Sequence, residues 1–340
     1  KIFRMSKPSL KQLAEKLGVS VSTVSKALRD TYDIGEDTKK KVQEMAAQMS
    51  YVANPYARQL RSHKSSTIAV LVPELTNNFF VQAISGAETI ARQNDYHVLI
   101  YVTHDDFKQE ENILKHLQNG RVDGVVMSMA ANTKQHDHLS ELKQSGIPVV
   151  FFDRICHEIE TVKVVTDDFA SGFNATEHLI RQGCKDIAYL SISDHLSIDN
   201  KRKQGYLEAL HKYDLPVNDT RILKCNGDDK SNYRKIKQML SGNPADGVFA
   251  CVEKLAFTTY QACKDLQLRI PEDVKVICFS NLEIADMLNP SITTITQPAF
   301  EMGKQAAALL FKYLAKKNQQ IPNELIVIKS VLIERDSTGK

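Results

Sequence analysis

Small, polar and basic side chains recur at helical spacing near the start of the chain: Ser22, Thr23, Lys26 and Arg29. The apolar residues between them, Val24, Ala27 and Leu28, would face a core and turn the polar set outwards. Hydroxyl and cationic groups in such a row can bond to base edges and phosphates. The pattern favours contact with nucleic acid, and a small helical cap with a solvated basic face is the alternative.

Two short helices joined by a glycine turn would position these side chains. Ser9 and Gln12 fit a capping box at the start of the first helix, Gly18 ends that helix, and Ser20 can cap the second. This arrangement is a helix-turn-helix, whose second helix enters the major groove of DNA. A third helix is predicted to begin near Glu36, with four residues on its core face: Val42, Met45, Ala46 and Met49.

The distribution of charge agrees with a nucleic-acid contact at one end. The 340 residues carry 44 Lys and Arg against 41 Asp and Glu, a net charge of +3. Residues 1–65 hold 13 of the basic and 6 of the acidic residues, so they carry +7 and leave −4 for the rest. Hydrophobic content of 42% and charged content of 25% exclude disordered and collagen-like classes.

The sequence also predicts a cytoplasmic protein. No apolar run reaches the roughly 18 residues of a membrane span, and residues 1–5 lack the apolar stretch of a signal peptide. The six cysteines form no CxxC pair. Scattered cysteines without metal-ligand spacing are typical of reduced thiols in a protein core.

From Thr67 onwards, apolar strands alternate with amphipathic helices, and four runs are predicted to be buried parallel strands: 68–72, 98–102, 124–127 and 149–152. A second series begins after Thr161, which indicates two lobes. The expected fold is an all-α helix-turn-helix headpiece (6–53), a hinge (54–65) and an α/β core of two doubly wound parallel-sheet lobes, like that of periplasmic binding proteins. The first lobe would hold about 66–165 and 297–322, and the second about 166–296 and 323–340. Ligands of such sheets bind at the carboxyl ends of the strands, here across the cleft between the lobes.

The sequence contains none of the catalytic motifs G-x-S-x-G, P-loop or H-E-x-x-H. The adjacent pairs Asp105-Asp106, Asp167-Asp168 and Asp228-Asp229 are interpreted as solvated turns or caps, with a ligand contact by Asp167 as an alternative. His136-Asp137-His138 lacks further metal ligands nearby and is interpreted as a polar helix start. The sequence therefore predicts no enzyme, no cofactor and no metal site.

Two segments of the head resemble the lactose-repressor (LacI/GalR) family of transcription regulators. Residues 11–28, KQLAEKLGVSVSTVSKAL, are similar to the family's headpiece, and residues 51–60, YVANPYARQL, are similar to its hinge. The similarity continues into the core with FDR at 152–154, IPEDV at 270–274 and LNPSITTITQP at 288–298. Because the segments keep their order along the whole chain, the resemblance is specific.

The resemblance implies a surface that binds double-stranded DNA. Val21, Ser22 and Lys26 would contact base edges, and Leu60 would enter the minor groove when two hinges fold together on DNA. Contacts to the DNA backbone are implied for seven residues: Ser9, Ser20, Thr23, Arg29, Tyr51, Asn54 and Arg58. The alternatives are Val21 in the core, Lys26 on a phosphate only, and a hinge that is an ordinary flexible linker.

The resemblance also implies a small-molecule effector bound by five residues: Asn77, Phe79, Phe80, Asp153 and Arg202. The alternatives are phenylalanines in the core, a turn cap at Asp153 and a solvated basic face at Arg202. At two further positions this chain departs from the family, with Glu253 after Val252 in place of Asn-Asp and Ser280 in place of an aspartate that commonly holds sugar hydroxyls. Loss of that carboxylate beside Arg202 suggests an anionic effector, such as a sugar acid or a phosphosugar.

The resulting prediction is a homodimeric repressor that binds a pseudo-palindromic operator and responds to a carbohydrate-like effector. The C-terminal residues carry no leucine heptads, which argues against a tetramerising coiled coil. The alternative is a cytoplasmic ligand-binding or enzymatic pair of lobes with a vestigial DNA-binding head.

Overall fold

A computed structural model describes residues 8–28, 30–51, 64–133, 135–315 and 321–339 of the chain. The chain divides into two compact units, Lys1–His63 and Lys64–Lys340. Within the described ranges, no helix is long and apolar enough to cross a membrane.

The described residues of the first unit form three short helices: α1 (Leu10–Leu17), α2 (Val21–Ala27) and α3 (Glu36–Gln48). The Ser9 hydroxyl accepts from the Gln12 amide while the Gln12 side chain accepts from the Ser9 amide, which confirms the predicted capping box. Gly18 ends α1 at a φ of 62°, the left-handed conformation that glycine adopts without strain. The helices enclose a small core of Leu13, Val24 and Val42 with the alanines between them, so the predicted helix-turn-helix is confirmed.

The second unit begins with a lobe built on a parallel sheet. Its strands are β1 (Thr67–Val72), β2 (His97–Val102), β3 (Gly124–Met127), β4 (Val149–Phe152) and β5 (Val162–Thr166). The helices are α4 (Asn78–Gln93), α5 (Phe107–Leu117) and α6 (Asp137–Gln144). Ile68, Val70 and Val72 of β1 pack into one hydrophobic cluster and Ala69 and Leu71 into another. Because both faces of the sheet are covered, its central strands are continuous apolar runs.

The second lobe repeats the alternation around a second sheet. Its strands are β6 (Ile187–Ser191), β7 (Ile222–Lys224), β8 (Gly247–Ala250), β9 (Lys275–Phe279) and β10 (Thr293–Thr296). The helices are α7 (Asp168–Arg181), α8 (Ser197–Lys212), α9 (Asp229–Leu240) and α10 (Glu253–Leu266). The chain then returns to the first lobe as α11 (Ala299–Leu314) and ends with β11 (Glu324–Ile328) and β12 (Val331–Ile333). Among the described residues, the two sheets have the orders β11-β5-β4-β3-β1-β2 and β12-β10-β9-β8-β6-β7.

The position of β11 corrects the predicted lobe boundary. The sequence assigns residues 323–340 to the second lobe, but β11 pairs with β5 of the first sheet from Glu324 opposite Val162 to Ile328 opposite Thr166. Only β12 and the residues after it join the second sheet, where β12 runs antiparallel to β10. The chain therefore crosses from the first lobe to the second at residues 329–330, between β11 and β12. The two strands are similarly apolar, so their sequence pattern does not reveal this crossing.

The exposure of β2 corrects a second prediction. The run 98–102 is predicted to be a buried strand, yet β2 lies at the edge of the first sheet and pairs only with β1 among the described residues. Leu99 is 41% exposed and Ile100 is 47% exposed. Apolar content in a parallel strand therefore marks membership of the sheet and does not fix whether the strand is central.

Candidate functional site

The α2 helix presents an exposed row of side chains to solvent. Val21 is 38% exposed, Ser22 and Lys26 are also exposed, and Val24 and Ala27 on the opposite face are fully buried. The alternative that Val21 belongs to the core is therefore wrong. This is the face that a recognition helix would offer to the major groove.

A network of hydroxyl groups fixes the start of that helix. The Ser20 hydroxyl accepts from the Thr23 amide at 3.0 Å, and it lies 2.7 Å from the Ser22 hydroxyl and 2.8 Å from that of Thr23. The predicted cap at Ser20 is thus confirmed. Three hydroxyls grouped at a helix N-terminus can also donate to a phosphate, since the helix dipole favours negative charge there.

Lys26 has a partner that the sequence analysis missed. Its ammonium forms an ion pair with the carboxylate of Asp33, in the loop between α2 and α3. The hydrogen bond from Lys26 lowers the pKa of Asp33 below its ordinary value, and a further bond from Thr31 acts in the same direction. No spacing rule connects positions 26 and 33, because they meet only through the turn after α2.

The remaining predicted DNA contacts fall into two groups. The ring of Tyr51 is half-buried against the core of the first unit, and burial raises its pKa. Four predicted contacts lie outside the residues that the structure describes: Arg29, Asn54, Arg58 and Leu60.

In the second unit, Arg202 and Asp168 form a buried ion pair. Arg202 Nε donates to Asp168 Oδ1 at 2.8 Å, Nη1 donates to the carbonyl of Cys251 at 2.8 Å, and the guanidinium lies 3.6 Å from the ring centroid of Phe279. Each of the two charged residues is only 2% exposed. The alternative of a solvated basic face at Arg202 is therefore wrong, and so is the interpretation of Asp168 as a solvated turn residue.

Asp153 faces this ion pair from the first lobe. It follows β4 in the left-handed conformation, with a φ of 59°, and it is 4% exposed. Burial raises its pKa, while the positive charges of Arg154 and Arg202 oppose that rise. Burial also raises the pKa of Asp168 to about 6, with Arg202 opposing the rise and Asp153 adding to it. Side chains from both lobes thus share one electrostatic environment.

Glu253 and Ser280 meet at the ends of neighbouring strands. Ser280 Oγ donates to Glu253 Oε2 at 2.6 Å and accepts from the Leu282 amide at 3.0 Å. Burial raises the pKa of Glu253, and the bond from Ser280 opposes that rise. The carboxylate that the sequence appeared to lose at position 280 is thus supplied by a neighbouring residue.

The residues around the start of α4 have structural roles. The Asn77 side chain accepts from the Phe79 amide at 2.9 Å and so caps α4. Phe79 and Phe80 are buried, with ring centroids 5.1 Å apart, and both pack near Phe152. The Arg154 guanidinium lies 5.6 Å from the Phe80 ring centroid, which connects this aromatic cluster to the charged cleft.

A cavity of about 430 Å³ lies between the lobes and is lined by Arg154, the residue next to Asp153. Met129, Arg154 and Glu158 line it from the first lobe, and His195 and Ser197 line it from the second. In the sequence, Arg154 stands out only as part of the FDR motif, and His195 and Ser197 belong to no motif. The one available signal was position, since these residues follow the carboxyl ends of β3, β4 and β6.

The segment 136–138 is predicted to be a polar helix start, and His138 departs from that prediction. α6 does begin at Asp137, as predicted, but His138 is buried and its Nε2 lies 2.9 Å from Oε1 of the buried Glu110. Glu110 also accepts from the amide of Ala130 and the hydroxyl of Thr133. This group holds the loop after β3 against α5, so it positions part of the cavity wall.

A helix-turn-helix unit and a two-lobed unit with a charged cleft together define a class of ligand-responsive DNA-binding regulators. Comparison with family models agrees with both units. Residues 9–54 match the model described as bacterial regulatory proteins of the lacI family. Residues 65–335 match the model of periplasmic binding proteins and the sugar-binding domain of the LacI family.

Individual relatives cover nearly the whole chain. The HTH-type transcriptional regulator RegA of Clostridium saccharobutylicum is 31% identical over 97% of this chain and 99% of its own. The ribose operon repressor of Haemophilus influenzae is 29% identical over 97% and 98%. Among solved structures, a LacI-family regulator from Enterococcus faecium with bound ribose is 29% identical, with a TM-score of 0.72 over 80% of this chain and 98% of that one. The chain belongs to the LacI family and is a DNA-binding transcriptional regulator with a sugar-binding domain.

Proposed function

We propose that this protein is a cytoplasmic homodimeric repressor whose affinity for a pseudo-palindromic operator is set by a sugar bound between its lobes. The exposed row of Val21, Ser22 and Lys26 on α2 is the observation that carries the DNA-binding part of the proposal. Two-fold symmetry of a dimer would place two such helices on two half-sites. The named functions of the relatives, all bacterial regulators, support a role in transcription rather than catalysis.

Within this proposal, the DNA contacts divide into two kinds. Ser22 and Lys26 bond to base edges and Val21 contacts a thymine methyl group, since these are the exposed groups of α2. Ser9, Ser20, Thr23 and Tyr51 contact the DNA backbone and set the position of the head. The proposal extends to residues outside the described ranges, with Leu60 as a minor-groove wedge and further backbone contacts from Arg29, Asn54 and Arg58.

For the effector, we propose a neutral sugar. Asp153 and Asp168 balance the charge of Arg202, and Glu253 restores a carboxyl group beside Ser280. Carboxylates accept hydrogen bonds from sugar hydroxyls but repel an anionic ligand. The ribose-bound Enterococcus structure and the ribose operon repressor support a monosaccharide. The alternative is the anionic effector that the presence of Ser280 in place of an aspartate suggests in the sequence.

A thermal-shift panel tests the effector proposal directly. The panel contains ribose, glucose, galactose, gluconate and ribose 5-phosphate, and a ligand that binds only the folded state raises the melting temperature. We expect a neutral monosaccharide to give the largest shift, and Asp153→Asn to abolish it. A shift confined to gluconate or ribose 5-phosphate would establish the anionic alternative instead.

A DNA-binding assay tests the repressor proposal. Operator candidates come from selection of a random duplex library, and affinity is then measured against salt concentration. Several phosphate contacts predict a steep fall of affinity as salt rises. Lys26→Ala should weaken binding to the selected site by about tenfold or more while changing non-specific binding less. Absence of any duplex binding at low salt would favour the vestigial-head alternative.

A further inference from the structure

Three potential metal ligands of different chemistry converge beside the cavity in the second unit. His136 precedes α6, while Cys156 and Glu158 lie in the loop after β4. The imidazole nitrogen, the thiol sulfur and a carboxylate oxygen lie within 4.8 Å of one another. Residues 20 positions apart in sequence meet here because parallel strands β3 and β4 end at the same edge of the sheet.

The separations fit a single ion. Cys156 Sγ is 3.2 Å from Glu158 Oε2, and His136 Nδ1 is 3.5 Å from the same oxygen. Zinc bonds of about 2.0 to 2.3 Å arranged tetrahedrally place ligand atoms about 3.3 to 3.8 Å apart. The third separation, between the sulfur and the ligand nitrogen of His136, is at most 4.8 Å. The His136 side chain is 26% exposed, so its ring has room to adjust.

The donor set also selects the kind of metal. A thiolate and an imidazole suit zinc and neighbouring transition metals, whereas calcium and magnesium take oxygen ligands. The side chain of His136 makes no capping bond to α6, so it is available to an ion. His138 is not part of the set, because its Nε2 is engaged by Glu110.

We propose that His136, Cys156 and Glu158 bind one Zn²⁺ ion, with a fourth coordination position open to the cavity between the lobes. On binding, the thiol proton of Cys156 is released to solvent and the sulfur bonds to the metal. His136 and Glu158 both line the cavity, whereas Cys156 is 1% exposed and closes the inner side of the site. Three protein ligands with one open position is the arrangement in which zinc accepts water or a ligand oxygen.

The position of the site places the ion beside the cavity that both lobes line. The same cavity is lined by His195, Leu196 and Ser197 of the second lobe. The open position therefore faces a loop that belongs to the opposite lobe, and a group bound there connects the two lobes. This proposal does not rest on the identity of the effector.

Cobalt(II) is the probe for the test, because a cobalt–thiolate bond gives a near-ultraviolet charge-transfer band that oxygen and nitrogen ligands do not. The full chain is stripped of metal with a chelator, kept reduced with a phosphine and titrated with Co²⁺, then with Zn²⁺. We expect one equivalent of Co²⁺, the charge-transfer band, and displacement of cobalt by Zn²⁺. Absence of the band in the wild-type protein overturns the proposal.

Variants assign the ligands. His136→Ala and Glu158→Gln change partly exposed side chains, and each should weaken Co²⁺ binding by at least about tenfold. Cys156→Ser should remove the band; if that variant does not fold, the other two variants and the wild-type band decide. Cys225→Ser, at another buried thiol, and His116→Ala, at an exposed histidine of α5, are matched controls that should bind as the wild type does. Equal losses in the controls, or a band that persists in folded Cys156→Ser, would place the metal elsewhere.

Discussion

In the protein without DNA, the side chain of Lys26 is held in an ion pair with Asp33. Lys26 is the predicted base-contacting residue that carries a positive charge. To bond to a base, the Lys26 ammonium must leave the Asp33 carboxylate. That carboxylate would then lie near the negatively charged DNA phosphates. We therefore expect Asp33→Asn to bind the selected operator more tightly, by up to about fivefold, as exposed ion pairs are weak. The measurement is a fluorescence-anisotropy titration at two salt concentrations.

A double-mutant cycle separates the release of Lys26 from the repulsion between the Asp33 carboxylate and the DNA phosphates. If Asp33 acts through Lys26, the gain from Asp33→Asn should vanish in the Lys26→Ala background. A gain of the same size in both backgrounds would mean that the carboxylate merely repels DNA phosphates, and the proposed competition would be wrong.

The raised pKa of Asp168 predicts an unusual dependence of stability on pH. Its pKa is about 6 in the folded protein against an ordinary value of 3.8 for an aspartate, so between these pH values the folded state holds a proton that the unfolded chain has lost. The contribution of this group to the free energy of unfolding is therefore fully present below about pH 4 and is lost as pH rises to 6, by about 1 kcal/mol per pH unit.

Urea unfolding of the wild type and of Asp168→Asn at pH 4.5 and pH 6.5 measures that contribution. The variant is expected to be close to the wild type in stability at pH 4.5, where the buried wild-type carboxyl is protonated and therefore neutral, as asparagine is. Its free energy of unfolding should decline less between the two pH values than that of the wild type. Parallel pH profiles in the two proteins would contradict the raised pKa.

At the residue scale, sequence predicted identities better than partners. The sequence predicts Arg202 and Asp153 as effector-binding residues, and their charges do act on each other across the cleft. It predicts a solvated turn or cap at Asp168, which is buried. An Asp-Asp pair after a strand looks like a turn, and only the close packing of α7 against α8 shows that its second carboxylate is buried. Glu253 stands out in the sequence as a departure from the LacI-family pattern, but its bond to Ser280 depends on the neighbouring ends of β8 and β9 and cannot be read from the sequence.

Among the elements, the contact between α7 and α8 positions both members of the buried ion pair. Gly172 of α7 lies against the backbone of α8, where an added Cβ would come 2.3 Å from the carbonyl oxygen of Arg202. Gly172→Ala should push α8 away and lower the free energy of unfolding by about 1–3 kcal/mol. Because Arg202 moves with α8, the same substitution should weaken binding of the sugar identified by thermal shift by about tenfold.

Gly303→Ala provides the matched control for this prediction. Its added Cβ would come 1.8 Å from the carbonyl oxygen of Ala83, in the contact between α11 and α4 of the first lobe. We expect a comparable loss of stability with sugar affinity unchanged in isothermal titration. Equal losses of affinity in the two variants would show that the effect is global, not a displacement of Arg202.

Periodicity predicts the alternation of strands and helices in the core, and it predicts β1 to β4 individually because each is a strongly apolar segment. It missed β5, β7, β10 and β12, which are three to five residues long or carry polar threonines. It also placed β11 in the wrong lobe, since pairing with β5 is a contact across more than 150 residues. Such pairings depend on the point at which the chain passes from one lobe to the other, and a local sequence pattern does not indicate that point.

At the scale of the whole molecule, regulation requires that operator and sugar affect each other equally. If the sugar changes operator affinity by some factor, the operator must change sugar affinity by the same factor, because both are equilibrium constants around one cycle. We expect this factor to be about 5 to 150, the usual range for allosteric coupling. Isothermal titration of the sugar with and without a saturating operator duplex gives one side of the cycle, and anisotropy with and without sugar gives the other.

Asp153→Asn is the control for this coupling. With the sugar site impaired, operator affinity should no longer respond to sugar concentrations that act on the wild type, while its value without sugar should stay the same. If the variant still responds, the sugar acts at another site. If the two factors differ in the wild type, a third species takes part in the cycle, and repeating both titrations after chelation would show whether that species is the ion bound by His136, Cys156 and Glu158.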